Sequence, residues 1–188
     1  MKTKLNNIAS IQTGVFAKTT SIGDVVYLKA RHFDENGRLR RELHSDLKLN
    51  NKTQKHLLKP DDIIFAAKGT KNFAAWYEGK NPLVVASTSF FIIRLGNSGR
   101  NKILPPYLVW FLNHPSTQKY LKGFAKGTNI VSIAKTVLEK LEIPVPEIQT
   151  QEAVIKINDL RNRERELKEN IEELREKLIQ QQILNGIK

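Results

Sequence analysis

The sequence predicts an α+β protein: a mixed α/β domain over residues 1–146, followed by one long coiled-coil α-helix over residues 147–188. Three observations predict it. Short β-branched and aromatic runs, punctuated by Gly, Pro and Asn-Gly turn signals, fill residues 24–95. Pro144-Val145-Pro146 then crosses the chain in extended form, because each proline disfavours helix at the residue before it. Beyond that point residues 150–184 contain neither Gly nor Pro, and their apolar residues recur at 3-4 spacing.

Within the first part, residues 24–30 (DVVYLKA) read as a strand, and Asn36-Gly37 marks the tight turn that follows. Lys59-Pro60-Asp61-Asp62 is a second turn, and it feeds the buried-strand candidate 63–67. Residues 73–77 and the run 83–95 are further strands, the latter closed by Gly96-Asn97-Ser98-Gly99. Pro105-Pro106 opens a helix over 107–113, which Pro115 closes. Ser116 is suited to cap a second short helix that stops near Gly123. Lys126-Gly127-Thr128-Asn129 is a loop, and 130–137 is a short apolar stretch.

In the second part, Ile157, Glu164, Ile171 and Leu178 occupy heptad position a, and Leu160, Leu167, Leu174 and Gln181 occupy d. The stripe is apolar except at Glu164 and Gln181. Ile157, Leu160, Leu167, Ile171, Leu174 and Leu178 are the expected dimerisation residues. A helix of this length is a rod of roughly 50 Å. A domain of this size cannot cover such a rod along its whole length, so a second helix is expected, its own copy or a partner's. The alternative is a terminal helix lying flat on its own domain.

Charge separates the two parts as sharply as composition does. Residues 1–146 carry 23 Lys/Arg against 10 Asp/Glu, and residues 147–188 carry 8 against 9. The excess of +13 therefore sits on the globular part, which points to a polyanion, nucleic acid first. A helical scaffold that binds only proteins has no use for it. The 188 residues are 40% hydrophobic and 27% charged, a soluble globular balance. No run approaches the roughly 18–20 apolar residues of a membrane span, and the first residues lack a secretory apolar core. There is no cysteine, which removes disulfides and thiolate zinc sites and fits the cytoplasm.

Phosphate contacts need Lys, Arg, hydroxyls and backbone N–H groups, and base reading needs Arg, Lys, Asn or Gln. Four clusters on expected loops supply them. Arg38, Arg40 and Arg41 follow the Asn-Gly turn; Asn50, Asn51 and Lys52 lie in a polar connector. Lys68, Lys71 and Asn72 surround Gly69, and Lys126, Thr128 and Asn129 flank Gly127. Glycine beside polar residues suits close backbone approach to a phosphate. Trp76 and Tyr77 read as core.

Three catalytic lookalikes fail on their own chemistry. Pro60-Asp61 with Glu78-Gly79-Lys80 has the letters of a Mg²⁺ nuclease site, but Glu78 falls in a turn, where the side chains are expected to diverge. Pro105-Pro106-Tyr107 lacks the Asn or Asp that an amino-methyltransferase needs ahead of its prolines, since position 104 is Leu. His32, His44, His56 and His114 show no metal-ligand spacing. No catalytic residue, metal or cofactor is expected.

Several segments in order resemble the specificity (S) subunit of type I restriction–modification systems. These are LNNIASIQTG at 5–14, LLKPDDIIFAAKG at 57–69, VASTSFFIIRL at 85–95, PYLVWFLN at 106–113, GTNIVSI at 127–133 and LEKLEIPVPEIQTQ at 138–151. The second is similar to the family's Leu-x-x-Gly-Asp-Ile stretch, with Pro60 read in the glycine place before Asp61. The resemblance implies a DNA target-recognition domain over 1–146 and a dimerisation helix over 147–188, half of a two-domain, two-helix reader. It further implies that such halves pair their helices antiparallel, as a homodimer or with another half S subunit, and read a bipartite site in double-stranded DNA. The partners it implies are methyltransferase subunits and a restriction or translocase subunit. A stand-alone dimeric DNA-binding regulator is the alternative, and a nuclease of the Pro-Asp…Glu-x-Lys type a remoter one.

Overall fold

The computed structural model describes residues 1–34, 37–40, 43–69, 71–80, 82–125 and 131–187. The chain divides into two compact units, Met1–Ile148 and Gln149–Lys188.

The first unit is built on an antiparallel sheet of four strands: β2 (Ala9–Thr13), β4 (Asp62–Ala66), β6 (Ala74–Tyr77) and β8 (Phe90–Leu95), in the order β2-β8-β4-β6. β4 and β8 are its interior strands, and every residue of β4 is buried, so both faces of the sheet are covered. On one face Ile64, Ala66, Phe90 and Ile92 pack against Val26, Leu28, Val84 and Ala86. Those four belong to β3 (Val26–Leu28) and β7 (Val84–Ala86), a parallel pair. The helix α3 (Pro105–Asn113), with Leu108 and Leu112 fully buried, packs against β4 and β6.

Shorter elements complete the unit. β1 (Lys2–Lys4) pairs antiparallel with β10 (Glu142–Pro144), so the two ends of the unit are joined. β5 (Lys68–Gly69) pairs with β9 (Val131–Ser132). α1 (Asn51–Lys55), α2 (Asn97–Arg100), α4 (Pro115–Gly123) and α5 (Lys135–Glu139) are connectors of one to three turns.

Four expectations are corrected here. The run 83–95 is not one strand. Ser87-Thr88-Ser89 turns the chain between β7 and β8, which lie in different sheets. The connector at residues 50–52 is helical: the Asn50 side chain accepts from the N–H groups of Lys52 and Thr53 and opens α1. The cap of α4 is His114, whose Nδ1 accepts from the Ser116 N–H, and not Ser116 itself. Trp76 is 38% exposed on the edge strand, while Tyr77 is core.

The turn before β4 revises the alignment of the glycine motif. Asp61 has φ +70°, the left-handed region that favours glycine. The motif's glycine place is therefore Asp61, one residue later than the sequence reading, and its Asp is Asp62. Asp61 is held in that conformation by its N–H to the Tyr77 carbonyl and by the Trp76 indole N–H donating to its carboxylate at 3.2 Å.

The edge strand β6 is sealed by α3. Asn113 accepts from the Ala74 N–H at 2.7 Å and donates to the Ala74 carbonyl at 2.8 Å, as a neighbouring strand would.

The second unit belongs to one helix, α6 (Ile148–Gly186), whose 39 residues span about 58 Å. Ile157, Leu160, Leu167, Ile171, Leu174 and Leu178 are 48–65% exposed along it. Glu164, the charged a position, accepts from Lys168 at 2.7 Å, and that bond holds its carboxyl below the usual carboxylate range. Glu173 pairs with Lys177 in the same i, i+4 sense, and Glu172 with Arg175 one turn apart.

Candidate nucleic-acid interface

Strand direction decides which loops meet. β2 and β4 both run antiparallel to β8, and β6 runs antiparallel to β4. The residues that follow β2 and β4 and those that precede β6 and β8 therefore share one end of the sheet. Gly14 N–H donates to the Phe90 carbonyl and Val15 bridges to Ser87. Ala67 and Lys68 N–H both donate to the Ser89 carbonyl. The turn at 87–89 thus lies between the segment after β2 and the segment after β4, whose strands are about 10 Å apart across β8.

Charge is distributed unequally between the two ends. At this loop end residues 13–18, 67–69, 71–73, 87–89 and 131–133 contain Lys18, Lys68 and Lys71 and no Asp or Glu. The opposite end carries Asp61 before β4, Asp62 as its first residue and Glu78 after β6. Hydroxyls of Thr88 and Ser89 stand partly exposed in the turn at the loop end.

Three of the four sequence clusters have described members that come to this end. Lys68, in β5, is exposed beside the turn, and Lys71 follows it; Asn72 is more committed, its amide donating to the Ala66 carbonyl at 2.9 Å. Arg38 and Arg40 sit on the arm closed by the Phe33–Leu39 bridge. The Phe33 ring packs 4.9 Å from Phe73 and 5.5 Å from Phe90, which brings that arm beside the starts of β6 and β8. Lys52 reaches the same end from α1, its ammonium donating to the Phe16 carbonyl at 3.3 Å. Asn50 is occupied as the cap of α1, and Asn51 is exposed in its first turn. Arg41, Lys126, Thr128 and Asn129 lie outside the described residues. Strand β9, which follows 126–130 in the chain, is paired to β5 at Lys68–Gly69.

Residues outside those clusters also gather here. Phe16 and Lys18 follow β2 and are exposed. Lys29 and Arg31 follow β3, whose last carbonyl, Leu28, accepts from the Ser87 N–H. Nothing local in the sequence marks them. Their common position depends on β3 pairing in parallel with a strand more than 50 residues later. His32, next to them, is held below its ordinary pKa, first by burial and then by the Arg31 charge.

The acids of the nuclease lookalike, Asp61 and Glu78, are engaged structurally, and so is the neighbouring Asp62. Asp62 is fully buried and takes a two-point grip from Arg94, Nε at 2.6 Å and Nη2 at 2.5 Å, while its other contact accepts from the Lys59 N–H at 2.8 Å. Those hydrogen bonds push the Arg94 guanidinium above its already high pKa. Asp61 is held by Trp76, and Glu78 pairs with Lys80. Among the described residues no three His, Asp or Glu side chains gather as a metal site. Pro105 and Pro106 start α3, and the Tyr107 hydroxyl, buried, donates to the Pro144 carbonyl at 3.2 Å. Among the described residues no helix is long and apolar enough to cross a membrane.

Residues 2–175 match the family described as the type I restriction modification DNA specificity domain. The chain belongs to that family. This specificity domain is 32% identical over 107 residues to a putative type I restriction enzyme MjaX specificity subunit from Methanocaldococcus jannaschii, a match covering 55% of the chain and 24% of that protein. Its fold is similar to that of the type I restriction–modification S subunit of M. genitalium, at TM-score 0.59 and 15% identity over 85% of the chain and 38% of that subunit. It is also similar to the HsdS subunit of Thermoanaerobacter tengcongensis, at TM-score 0.58 and 12% identity over 87% and 37%. A chain from a structure of type I restriction–modification complex assembly and conformational transition matches at TM-score 0.62 and 12% identity, over 87% and 38%. The specificity domain thus spans about a quarter of the curated relative and under two fifths of the solved chains. Its α+β fold with a long C-terminal helix is the fold of these subunits.

Proposed function

We propose that this specificity domain binds double-stranded DNA sequence-specifically through the basic loop end of its sheet. In this reading it carries out no chemistry itself, and it directs methyltransferase subunits, with a restriction subunit in the complete system, to a bipartite site. Residues 1–146 are the recognition domain and 147–188 the pairing helix. Arg38, Arg40, Lys52, Lys68 and Lys71 are the phosphate and base contacts, together with Arg41, Lys126, Thr128 and Asn129. The helix stripe from Ile157 to Leu178 pairs with a second such helix, which sets the distance between two half-sites.

The observation that carries the reading is the convergence of basic residues from four separate parts of the chain on one sheet end, where the described acids Asp34 and Asp46 accept from the backbone N–H groups of Arg38 and Tyr27. Such a surface matches the phosphate backbone of a duplex. The buried Asp62–Arg94 pair and the capping of α1 account for the nearby polar groups without chemistry.

Fluorescence anisotropy on a mixed-sequence duplex, across salt concentrations, tests it. Contact with about 5–8 phosphates gives a log–log slope of roughly −4.5 to −7. Replacing Lys52 and Lys68 with Gln together should flatten that slope by about 2. A salt-independent response would overturn the reading. Capture of a methyltransferase subunit by the full chain, lost on truncating the helix, tests the partner.

A further inference from the structure

We propose that Phe16 is an apolar wedge against duplex DNA, held out by a loop that the fold has fixed for that purpose. The proposal rests on the DNA reading above and adds a contact that charge does not predict.

The loop from Gly14 to Gly23 is pinned at both ends by backbone contacts that only glycine permits. A Cβ on Gly14 would lie 2.1 Å from the Ser87 carbonyl oxygen, and one on Gly23 would lie 2.4 Å from the Leu47 nitrogen. Between them the loop is tied down four more times. Val15 is buried, and its carbonyl accepts from the Tyr27 hydroxyl at 2.8 Å. The same hydroxyl accepts from the Ala17 N–H at 3.3 Å. Lys52 Nζ donates to the Phe16 carbonyl, and the Thr20 N–H donates to the Asp46 carbonyl at 2.7 Å. The Phe16 backbone is thus anchored, yet its side chain is 68% exposed. A ring left in water forgoes much of the stabilisation that burial of a phenylalanine brings, so the domain's own stability does not explain it.

The charge on the same end of the sheet argues for its occupant. Lys18 is exposed two residues on, Lys52 is bound to Phe16's own carbonyl, and Lys68 is exposed across the 87–89 turn. The acids of the neighbouring segment, Asp24 and Asp46, are turned to backbone N–H groups: Asp24 accepts from Leu49 at 3.4 Å and Asp46 from Tyr27 at 2.8 Å. An exposed aromatic ring on a sheet end that also bears exposed lysines complements a surface of phosphates with apolar faces between them, which is duplex DNA. Aromatic and aliphatic wedges of this kind press between base steps and partly unstack them. An acidic protein partner lacks the base faces that would receive the ring edge-on, and it is an outcome of the test below.

The test uses the full chain and a fluorescein-labelled 40-base-pair duplex selected by the wild type from a random pool. Phe16→Ala should weaken binding roughly 5- to 150-fold, the range of one aromatic–base contact, and leave the salt slope unchanged. Phe16→Trp should bind within about threefold of wild type, with new indole fluorescence that is quenched on adding DNA. Lys52→Gln should instead lower the slope by about 1. Thermal unfolding of Phe16→Ala should match the wild type, because the ring is exposed. Binding by Phe16→Ala within twofold of wild type, while the lysine variants lose affinity, overturns the wedge and leaves the DNA reading standing. A wild-type chain that binds no duplex at any salt concentration overturns both, whereas Phe16→Ala losing only the capture of a protein partner overturns the wedge alone.

Discussion

Replacing Leu167 and Leu174 with Ala tests whether the long helix pairs. Both are d positions, and they are 48% and 65% exposed in the single chain. Full burial of a leucine is worth roughly 1.5–3 kcal/mol, so covering the half or more still exposed is worth about 1 kcal/mol each. A pair of identical helices carries four such side chains, and losing them costs about 4 kcal/mol, roughly a thousandfold in the dimer dissociation constant. Alanine is the best helix former, so the helix itself is not weakened by the change. Sedimentation velocity over a concentration series reads the association, and circular dichroism confirms unchanged helicity. A dissociation constant within threefold of wild type would refute the stripe as a pairing surface. A wild-type chain that stays monomeric at about 100 times physiological concentration would refute self-pairing.

Asp62→Ala leaves the Arg94 guanidinium, 27% exposed, without its carboxylate and should lower stability by about 3 kcal/mol, read as a fall in the urea midpoint. An unchanged midpoint would refute the structural role of this pair. Asn113→Ala strips both backbone groups of Ala74, which is 2% exposed, and should cost about 2–3 kcal/mol. Hydrogen exchange should show the loss first at β6. Acidification should destabilise the domain through His32. Its folded pKa lies below the ordinary 6.5, so the unfolded state binds the extra proton first; the contribution is complete above about pH 6.5 and is lost as pH falls toward the lowered value. Protonation also ends acceptance at Nδ1 of the Lys29 N–H, 3.1 Å away. His32→Asn should flatten the melting-temperature profile between about pH 7 and 5.

Several features were legible because they are local. The 3-4 stripe of α6 needs only helical periodicity, and prolines at 105 and 106 announce the first turn of α3. Other local signals were present and were read differently. Asn50-x-x-Thr53 is a capping pattern, and it makes a helix of what looks like a polar connector. Ser87-Thr88-Ser89 interrupts an apolar run with three hydroxyl residues, and the chain turns there. The left-handed place in the turn before β4 fell at Asp61 because a carboxylate bonded to Trp76 can hold a conformation usually left to glycine.

By itself, the sequence determined the two-part organisation, the +13 charge on the globular part, the exposed helical stripe and the family. These follow from composition, from periodicity within one element and from ordered motifs. Only the tertiary structure decided which basic residues stand together. Phe16 and Lys68 are 52 residues apart in the chain, and they come to one end of the sheet because β2 and β4 run parallel on either side of β8. That neighbourhood is set by strand pairing between distant segments, which depends on burying both faces of β4 and β8 at once. No short window of sequence records that condition.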